Sequence, residues 1–413
     1  MSDTIPQDPS SGVIEYPCPQ CGRSLRISSA GAGRKAKCPQ CGAISDVPAA
    51  APPPTTSVAA PVASPAPITA PAAMVASSRE IGTSTTRETS APTTSGDTPT
   101  SRLFNRIRGE ISKIFVGQDE LVLGALVALF SSGHLLIESV PGLGKTLFVR
   151  TLGKVMGCEF GRIQFTADLM PSDITGAPIF NMKTQEFHFR PGPVFTQFLL
   201  ADEINRSPAK THAALLEIMQ EFHVTVDGTT HRLDRPFLVL ATQNPIESEG
   251  TYNLPEAQLD RFMFKIVAGY PAEAQEAEIL RMHSRQVDLD ELLDSSVETV
   301  TGPEEILEIT RKNSEIRVDD RLLDYINKIV RLTRNWPQIF MGASPRAGLA
   351  LIQGARTLAA FYGRDYAVPD DVFQISLPAL RHRVIMTAEA DVEGRNVDEV
   401  IGELIRSIEV PRL

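Results

Sequence analysis

Eight consecutive residues, Ser139, Val140, Pro141, Gly142, Leu143, Gly144, Lys145 and Thr146, form a glycine-spaced loop that ends in lysine and threonine. The chemistry this spacing suits is phosphate binding. Glycines let main-chain N–H groups turn inward around an anion, and a following helix N-terminus adds positive potential. Lys145 supplies a point charge to the β- and γ-phosphates, and the Thr146 hydroxyl is a Mg²⁺ ligand. The G-x4-G-K-[ST] pattern wants glycine where Ser139 stands. A serine forced to positive φ would be strained, so a slightly different loop path is expected there. Fifty-eight residues after Lys145 comes Glu203, preceded by Asp202 at the end of an apolar run from Phe198. Asp202 is suited to hold the Mg²⁺ shell and Glu203 to polarise an attacking water. Adjacent acids could also mark a solvated turn, but the upstream loop favours the catalytic reading.

Four of the five cysteines fall in two CPQCG units, Cys18 with Cys21 and Cys38 with Cys41, and sixteen residues separate the pairs. That spacing matches a four-cysteine Zn²⁺ ribbon, where the metal supplies folding energy that so short a segment lacks. Redox dithiols are the alternative. The module, residues 15–47, carries five basic and two acidic side chains. Tyr16 is its only ring, so aromatic interleaving for nucleic acid is absent. Cys158 is alone and reads as a small buried hydrophobe.

The elements that must carry the loop and the acids alternate. His134 to Glu138 reads as a buried strand, Lys145 to Met156 as a helix, Phe198 to Asp202 and Phe237 to Thr242 as further strands. Ser207 and Pro208 open a helix with proline at its first position, and Asp227-Gly228 turns a hairpin over Val224 to Leu233. Strands alternating with helices imply an α/β fold, a parallel sheet with helices on both faces. Ligands then sit at the carboxyl ends of the strands, where the loop and Glu203 fall. Beyond about residue 300 the strand signal fades. Segments 303–312, 319–335, 344–362, 369–381 and 397–408 read as helices of a small all-α domain.

The 413 residues divide into a tail over 1–14, the cysteine module over 15–47, a linker over 48–100, an α/β core over 101–300 and the helical domain over 301–413. Forty of the 53 linker residues are Ala, Pro, Ser or Thr, too few large apolar groups to offset chain entropy, so disorder is expected. The formal charge is -10, all of it in 101–413 because residues 1–100 carry seven bases and seven acids. An acidic motor region argues against polyanion binding. No secretory signal opens the chain, and the longest apolar run, Leu121 to Phe130, is too short to span a bilayer, so the expected address is cytoplasmic.

Several longer words then accumulate: Phe115-Val-Gly-Gln118, the phosphate loop, Ala201-Asp-Glu-Ile-Asn-Arg206, Ala241-Thr-Gln-Asn-Pro245 and Leu254-Pro-Glu-Ala-Gln-Leu-Asp-Arg-Phe262. With these, residues 102–408 resemble the MoxR family of AAA+ ATPases. The resemblance implies a P-loop AAA+ core with a helical lid, ATP with Mg²⁺ as the ligand, and hydrolysis at the subunit boundaries of a homo-oligomeric, hexameric ring. It implies sensor 1 at Asn244, an arginine finger acting across the boundary at Arg261, sensor 2 at Arg346, Val116 and Gly117 near the adenine, and Arg206 near the same boundary. Taken from the residues alone, Asn244 could cap a strand end, and Arg261 could pair with Asp260 or Glu256. Arg346 sits in a helix first turn, where a cation opposes the macrodipole and a phosphate would offset that. The resemblance further implies a remodelling, assembly or metal-insertion factor for client proteins, with a von Willebrand A-domain partner. Two hairpins, around residues 168–193 and at Asp227-Gly228, are implied as pore-facing loops. The alternative function is a nucleic-acid-associated AAA+ motor or regulator anchored by the ribbon.

Overall fold

The computed structural model describes residues 13–17, 20–21, 24–28, 35–46, 96–140, 142–245, 252–284 and 289–412. The chain divides into two compact units, Met1–Thr85 and Thr86–Leu413. In the first unit β1 (Val13–Pro17) pairs antiparallel with β2 (Ser24–Ser28), and β3 (Lys35–Lys37) with β4 (Ile44–Asp46). Between β3 and β4 a tight turn closes where the Gly42 N–H donates to the Cys38 carbonyl at 3.0 Å. The expected tail and most of the expected linker lie outside the described residues.

The second unit begins with α1 (Pro99–Ser112), two residues ahead of the expected boundary, capped by the Thr98 side chain. There follow α2 (Asp119–Phe130), β5 (Leu135–Ser139), α3 (Lys145–Val155), β6 (Phe160–Gln164), α4 (Pro171–Thr175), β7 (Gly176–Asn181), β8 (Glu186–Pro191), β9 (Phe198–Asp202), α5 (Ala209–Glu221), β10 (His223–Val226), β11 (Thr229–Arg232), β12 (Leu238–Gln243), α6 (Glu256–Leu259) and β13 (Phe264–Ala268). The helix expected to start with Pro208 in its first position instead begins at Ala209, with Pro208 as the cap residue. Proline lacks an N–H in either position, so the difference leaves no donor unsatisfied.

Five strands form one parallel sheet in the order β13-β5-β12-β9-β6. Both faces are covered, which is why the strands read as unbroken apolar runs rather than alternating ones. Alternate residues feed opposite cores. Leu135, Ile137, Phe198, Leu200, Leu238 and Leu240 join α1, α2 and α3 on one face. Leu136, Leu199, Ala201, Val239 and Ala241 join α5 on the other. Each such large side chain, fully buried, contributes about 1.5–3 kcal/mol.

The remaining chain is mostly helical: α7 (Glu273–Ser284), α8 (Leu289–Ser296), α9 (Pro303–Ser314), α10 (Asp320–Thr333), β14 (Ile339–Met341), α11 (Pro345–Phe361), α12 (Pro369–Leu380), β15 (Ile385–Met386), α13 (Ala388–Val392) and α14 (Val397–Arg406). The five helices expected beyond residue 300 are all present. Their starts are built locally, by side-chain caps at Asp319, Ser344 and Asn396. The short β14–β15 pair was not legible as strand, because two to three residues carry no periodicity. The helical region is continuous with the α/β core. Phe361 of α11 stacks on Phe104 of α1 at 4.1 Å and meets Phe130 of α2 edge-on at 5.5 Å.

Candidate active site

The phosphate loop leaves the carboxyl end of β5 and opens α3 at Lys145. Gly142 and Gly144 take φ of 86° and 72°, conformations that glycine alone adopts freely, and they aim the first N–H groups of α3 out of the loop. No acid lies in the first turn of α3 to compete with a bound anion. Ser139 avoids the strained positive φ. Ser139 is the last residue of β5, paired in register with Ala268, and its backbone stays extended. Its hydroxyl is buried with no partner among the described residues. Pro141 lies outside the described residues; Val140, Leu143 and Thr146 fall in the loop as expected.

Asp202 ends β9, and β12 lies between β9 and the loop strand β5. Thr242 of β12 ties the two acids together. Its hydroxyl donates to Asp202 Oδ1 at 2.6 Å and accepts the Glu203 main-chain N–H at 2.9 Å. Glu203 adopts a left-handed conformation, φ 56° and ψ 48°, uncommon for a residue with a side chain. Such strain persists only where the surroundings over-determine it, as the Thr242 bond does here. The Glu203 carboxylate accepts from Gln164 Nε2 at 2.6 Å and faces Arg206 Nε at 3.2 Å. Arg162 donates to Asp202 Oδ2 at 2.7 Å and to Gln164 Oε1 at 2.6 Å. Asn244 follows β12 at the same edge, between the loop and the acids. Sequence reasoning missed Thr242, Gln164 and Arg162, because a threonine, a glutamine and an arginine in strands carry no signal until the strands are ordered.

Beside the loop lies a cavity of about 310 Å³ lined by Phe115, Val116, Leu143, Leu147 and Leu280 among others. Its apolar walls and its contact with the loop glycines suit a flat heterocycle attached to phosphates. Val116 also borders an adjoining cavity of about 360 Å³, with Gly117 in its wall.

A family model, the ATPase family associated with various cellular activities (AAA), matches residues 134–264, and an AAA lid domain model matches residues 331–404. Chaperone MoxR1 of Mycobacterium tuberculosis is 45% identical over 314 residues, 74% of this chain and 81% of its own length. The chain belongs to the MoxR family of AAA+ ATPases. YeaC of Bacillus subtilis is 44% identical over 309 residues, 75% of this chain and 95% of its own length. A crystal structure of a Cytophaga hutchinsonii protein assigned as an ATPase superposes with TM-score 0.70 at 40% identity, covering 76% of this chain and 96% of that one. A MoxR-type AAA+ enzyme binds and hydrolyses ATP; the apolar cavity borders the loop, and the acids end the strand two places along the sheet.

Two arginines that the MoxR resemblance assigns to catalysis stand elsewhere. Arg261 lies before β13, at the amino end of the strand, whereas the loop leaves the carboxyl end of the neighbouring β5. Five strand residues separate those edges by about 13 Å. Arg261 makes neither of the ion pairs considered from sequence; its Nη1 donates to the Leu216 carbonyl of α5 at 2.7 Å. Arg346, in the first turn of α11, stands 4.0 Å from Asp260, next to Arg261. Asp260, one residue before Arg261, thus meets Arg346 of the lid, while Arg261 itself turns to α5. Among the described residues no helix is long and apolar enough to cross a membrane.

In the amino-terminal unit the Sγ atoms of Cys21, Cys38 and Cys41 lie within 4.8 Å of one another; Cys18 lies outside the described residues. Main-chain N–H groups of Cys41 and Gln40 hold the Cys38 thiol at about 6, well below its ordinary range. Cys158 is buried, and burial pushes its thiol up to about 12, as suits an inert apolar side chain.

Proposed function

We propose that this MoxR-type ATPase works as a homo-oligomeric ring, hexameric by family resemblance, that couples ATP hydrolysis to remodelling of client proteins. The carrying observation is the placement of Arg261 at the amino end of β13, about a strand length from the edge that its own loop leaves. We read Arg261 as acting across the boundary on a neighbour's triphosphate, with Arg346 of the lid tied to the same segment through Asp260. Lys145 and the α3 N–H groups bind the triphosphate. Asn244 and Glu203 orient the attacking water once the carboxylate leaves Gln164 and Arg206. The Thr146 hydroxyl and the Asp202 carboxylate are hard oxygen donors at one edge, a set that fits Mg²⁺. A magnesium ion held by them would neutralise phosphate charge. Three convergent thiols, one lowered, fit a thiolate-bound structural Zn²⁺, with Cys18 as fourth ligand.

Client engagement is assigned to the β7–β8 hairpin, which exposes Met182 and Phe187 beside the packed pair Phe180–Phe187. The name of the Mycobacterium tuberculosis relative, Chaperone MoxR1, supports a chaperone role. The address proposed is cytoplasmic, and a von Willebrand A-domain protein is the partner the resemblance nominates. The test is a trap. Glu203→Gln should bind ATP, stay assembled and retain client proteins during affinity purification from the source cells, while Lys145→Ala retains none. Equal recovery with both variants contradicts ATP-dependent remodelling. Turnover per protomer that is independent of protein concentration across the assembly transition contradicts the ring.

A further inference from the structure

At the edge away from the phosphate loop, one carboxylate serves both arginine-bearing segments. Asp260 immediately precedes Arg261. Its Oδ1 accepts from Arg383 Nε at 2.8 Å, and its Oδ2 accepts from Ser344 Oγ at 2.8 Å. The Ser344 hydroxyl oxygen in turn accepts the main-chain N–H of Arg346 at 3.1 Å, so the residue that caps α11 also docks it on Asp260. The Arg346 guanidinium stands 4.0 Å from the same Oδ2 and is half-exposed. Arg383, whose side chain is 3% exposed, also donates to the carbonyls of Asp260, Phe262, Met263 and Ala379. His382 adds a bond from Nε2 to the Phe262 carbonyl at 3.0 Å. Lid contacts therefore bracket Arg261 in the chain, while its own side chain is held by a single carbonyl and leaves Nε buried and unpartnered.

The charges explain why this carboxylate matters. Arg346 and Arg383 both face Asp260, which directly precedes Arg261 in the chain. Burial weighs against the Arg383 charge, Asp260 sustains it, and Arg346 opposes it. A charge-assisted bond to a buried guanidinium is strong and directional, so the Arg383 arm is the fixed one. The Arg346 arm is longer and more exposed, so it is the one a phosphate can draw off.

We propose that Asp260 is a positioning residue that locks Arg261 and the lid's Arg346 into one block, so that both guanidiniums are presented together to the neighbouring protomer's triphosphate. This rests on the subunit-boundary reading above and names the residue that enforces it. Asp260 touches no nucleotide; it acts through the two arginines.

The experiment uses the full chain, assembled, with MgATP. Asp260→Asn should lower turnover on the order of 10- to 100-fold, the scale of a small misplacement of catalytic groups. The affinity of its own loop for a fluorescent ATP analogue should stay within about twofold, a split that general loss of structure does not give. Mixing Asp260→Asn protomers with excess Glu203→Gln protomers, inactive alone, should restore turnover, since the latter lend correctly held arginines to intact acids. A parallel mixture of Arg261→Ala with Glu203→Gln tests the reading underneath. If that mixture recovers and the Asp260→Asn mixture does not, the positioning role is overturned while the boundary reading stands. If neither recovers, the boundary reading itself fails. Should Asp260→Asn melt well below the parent, Ser344→Ala carries the test, because it cuts the lid arm without changing charge. It should lower turnover severalfold with unchanged ATP affinity and recover in the same mixture; parent-like turnover overturns the proposal.

Discussion

At the carboxyl edge of the sheet the catalytic groups are held by near neighbours: glycines shape the loop that they belong to, and Thr242 bonds Asp202 and Glu203 from the adjacent strand. At the amino edge the arrangement is reversed. The segment that carries Arg261 is joined to the lid only because Ser344 and Arg383, far along the chain, close on Asp260. The first edge is preformed within one protomer and needs little beyond its own strands. The second exists only when the lid is packed. The unit thus combines a locally built edge with a tertiary-built one.

The division makes a large and asymmetric expectation. Arg261→Ala should cut kcat on the order of 10³-fold or more, the range for a lost arginine finger, while leaving ATP affinity of the same protomer unchanged. Lys145→Ala should instead abolish measurable nucleotide binding. Titration with a fluorescent ATP analogue beside steady-state turnover separates the two. Loss of binding in Arg261→Ala would erase the distinction between the edges.

A smaller effect tests whether the phosphate edge is as local as it looks. Thr242→Val keeps the shape of the side chain and deletes the bond to Asp202 and the acceptor for the Glu203 N–H. Losing a hydrogen bond to a charged group costs about 1.5–3 kcal/mol, so kcat should fall roughly 10- to 100-fold. Assembly should persist, read by size-exclusion chromatography. A parent-like kcat would mean that the left-handed Glu203 is held by the Arg206 turn alone.

The same contrast explains what was legible in the sequence. Ser139 to Thr146, Asp202 and Glu203 could be read because the chemistry fixes residue types at short spacing, and the strands around them are apolar runs with one plausible structure. The lid helices could be read from their periodicity and caps. Thr242, Gln164 and Arg162 could not, since their roles appear only when β12 is inserted between β5 and β9. Asp260 was considered as a partner for Arg261 because it is adjacent in sequence. It turns instead to Arg383 and Ser344, and no local pattern encodes a bond spanning 123 residues. The different path expected at Ser139 has a local cause: the generic motif places a glycine there, but this strand runs one residue further than expected, to Ser139 itself.

The smallest expected effect is one of pH, and it falls unevenly. Two buried histidines stand at the amino edge and are kept neutral. His134 Nε2 donates to the Met219 carbonyl while Nδ1 accepts the Val239 N–H, and desolvation holds it down at about 4. His382 is lowered well below its ordinary value by burial and then by Arg383. Both folded values lie below the unfolded one near 6.5, so between them the unfolded chain binds more protons. Their stabilisation is complete above about pH 6.5 and is lost as pH falls toward the folded values, by up to about 1.4 kcal/mol per pH unit for each histidine. Because His382 grips Phe262, the loss should loosen the arginine edge first. Hydrogen exchange of the amides of Arg261, Phe262 and Met263, corrected for intrinsic rate, should accelerate on going from pH 7.5 to 5.5, whereas the amides of Leu199 and Leu200 in the central sheet should respond less. His382→Asn should blunt the change at the edge. Equal acceleration at both places would indicate that acid acts on the whole unit, and that the lid-held edge is no more labile than the sheet that binds the phosphates.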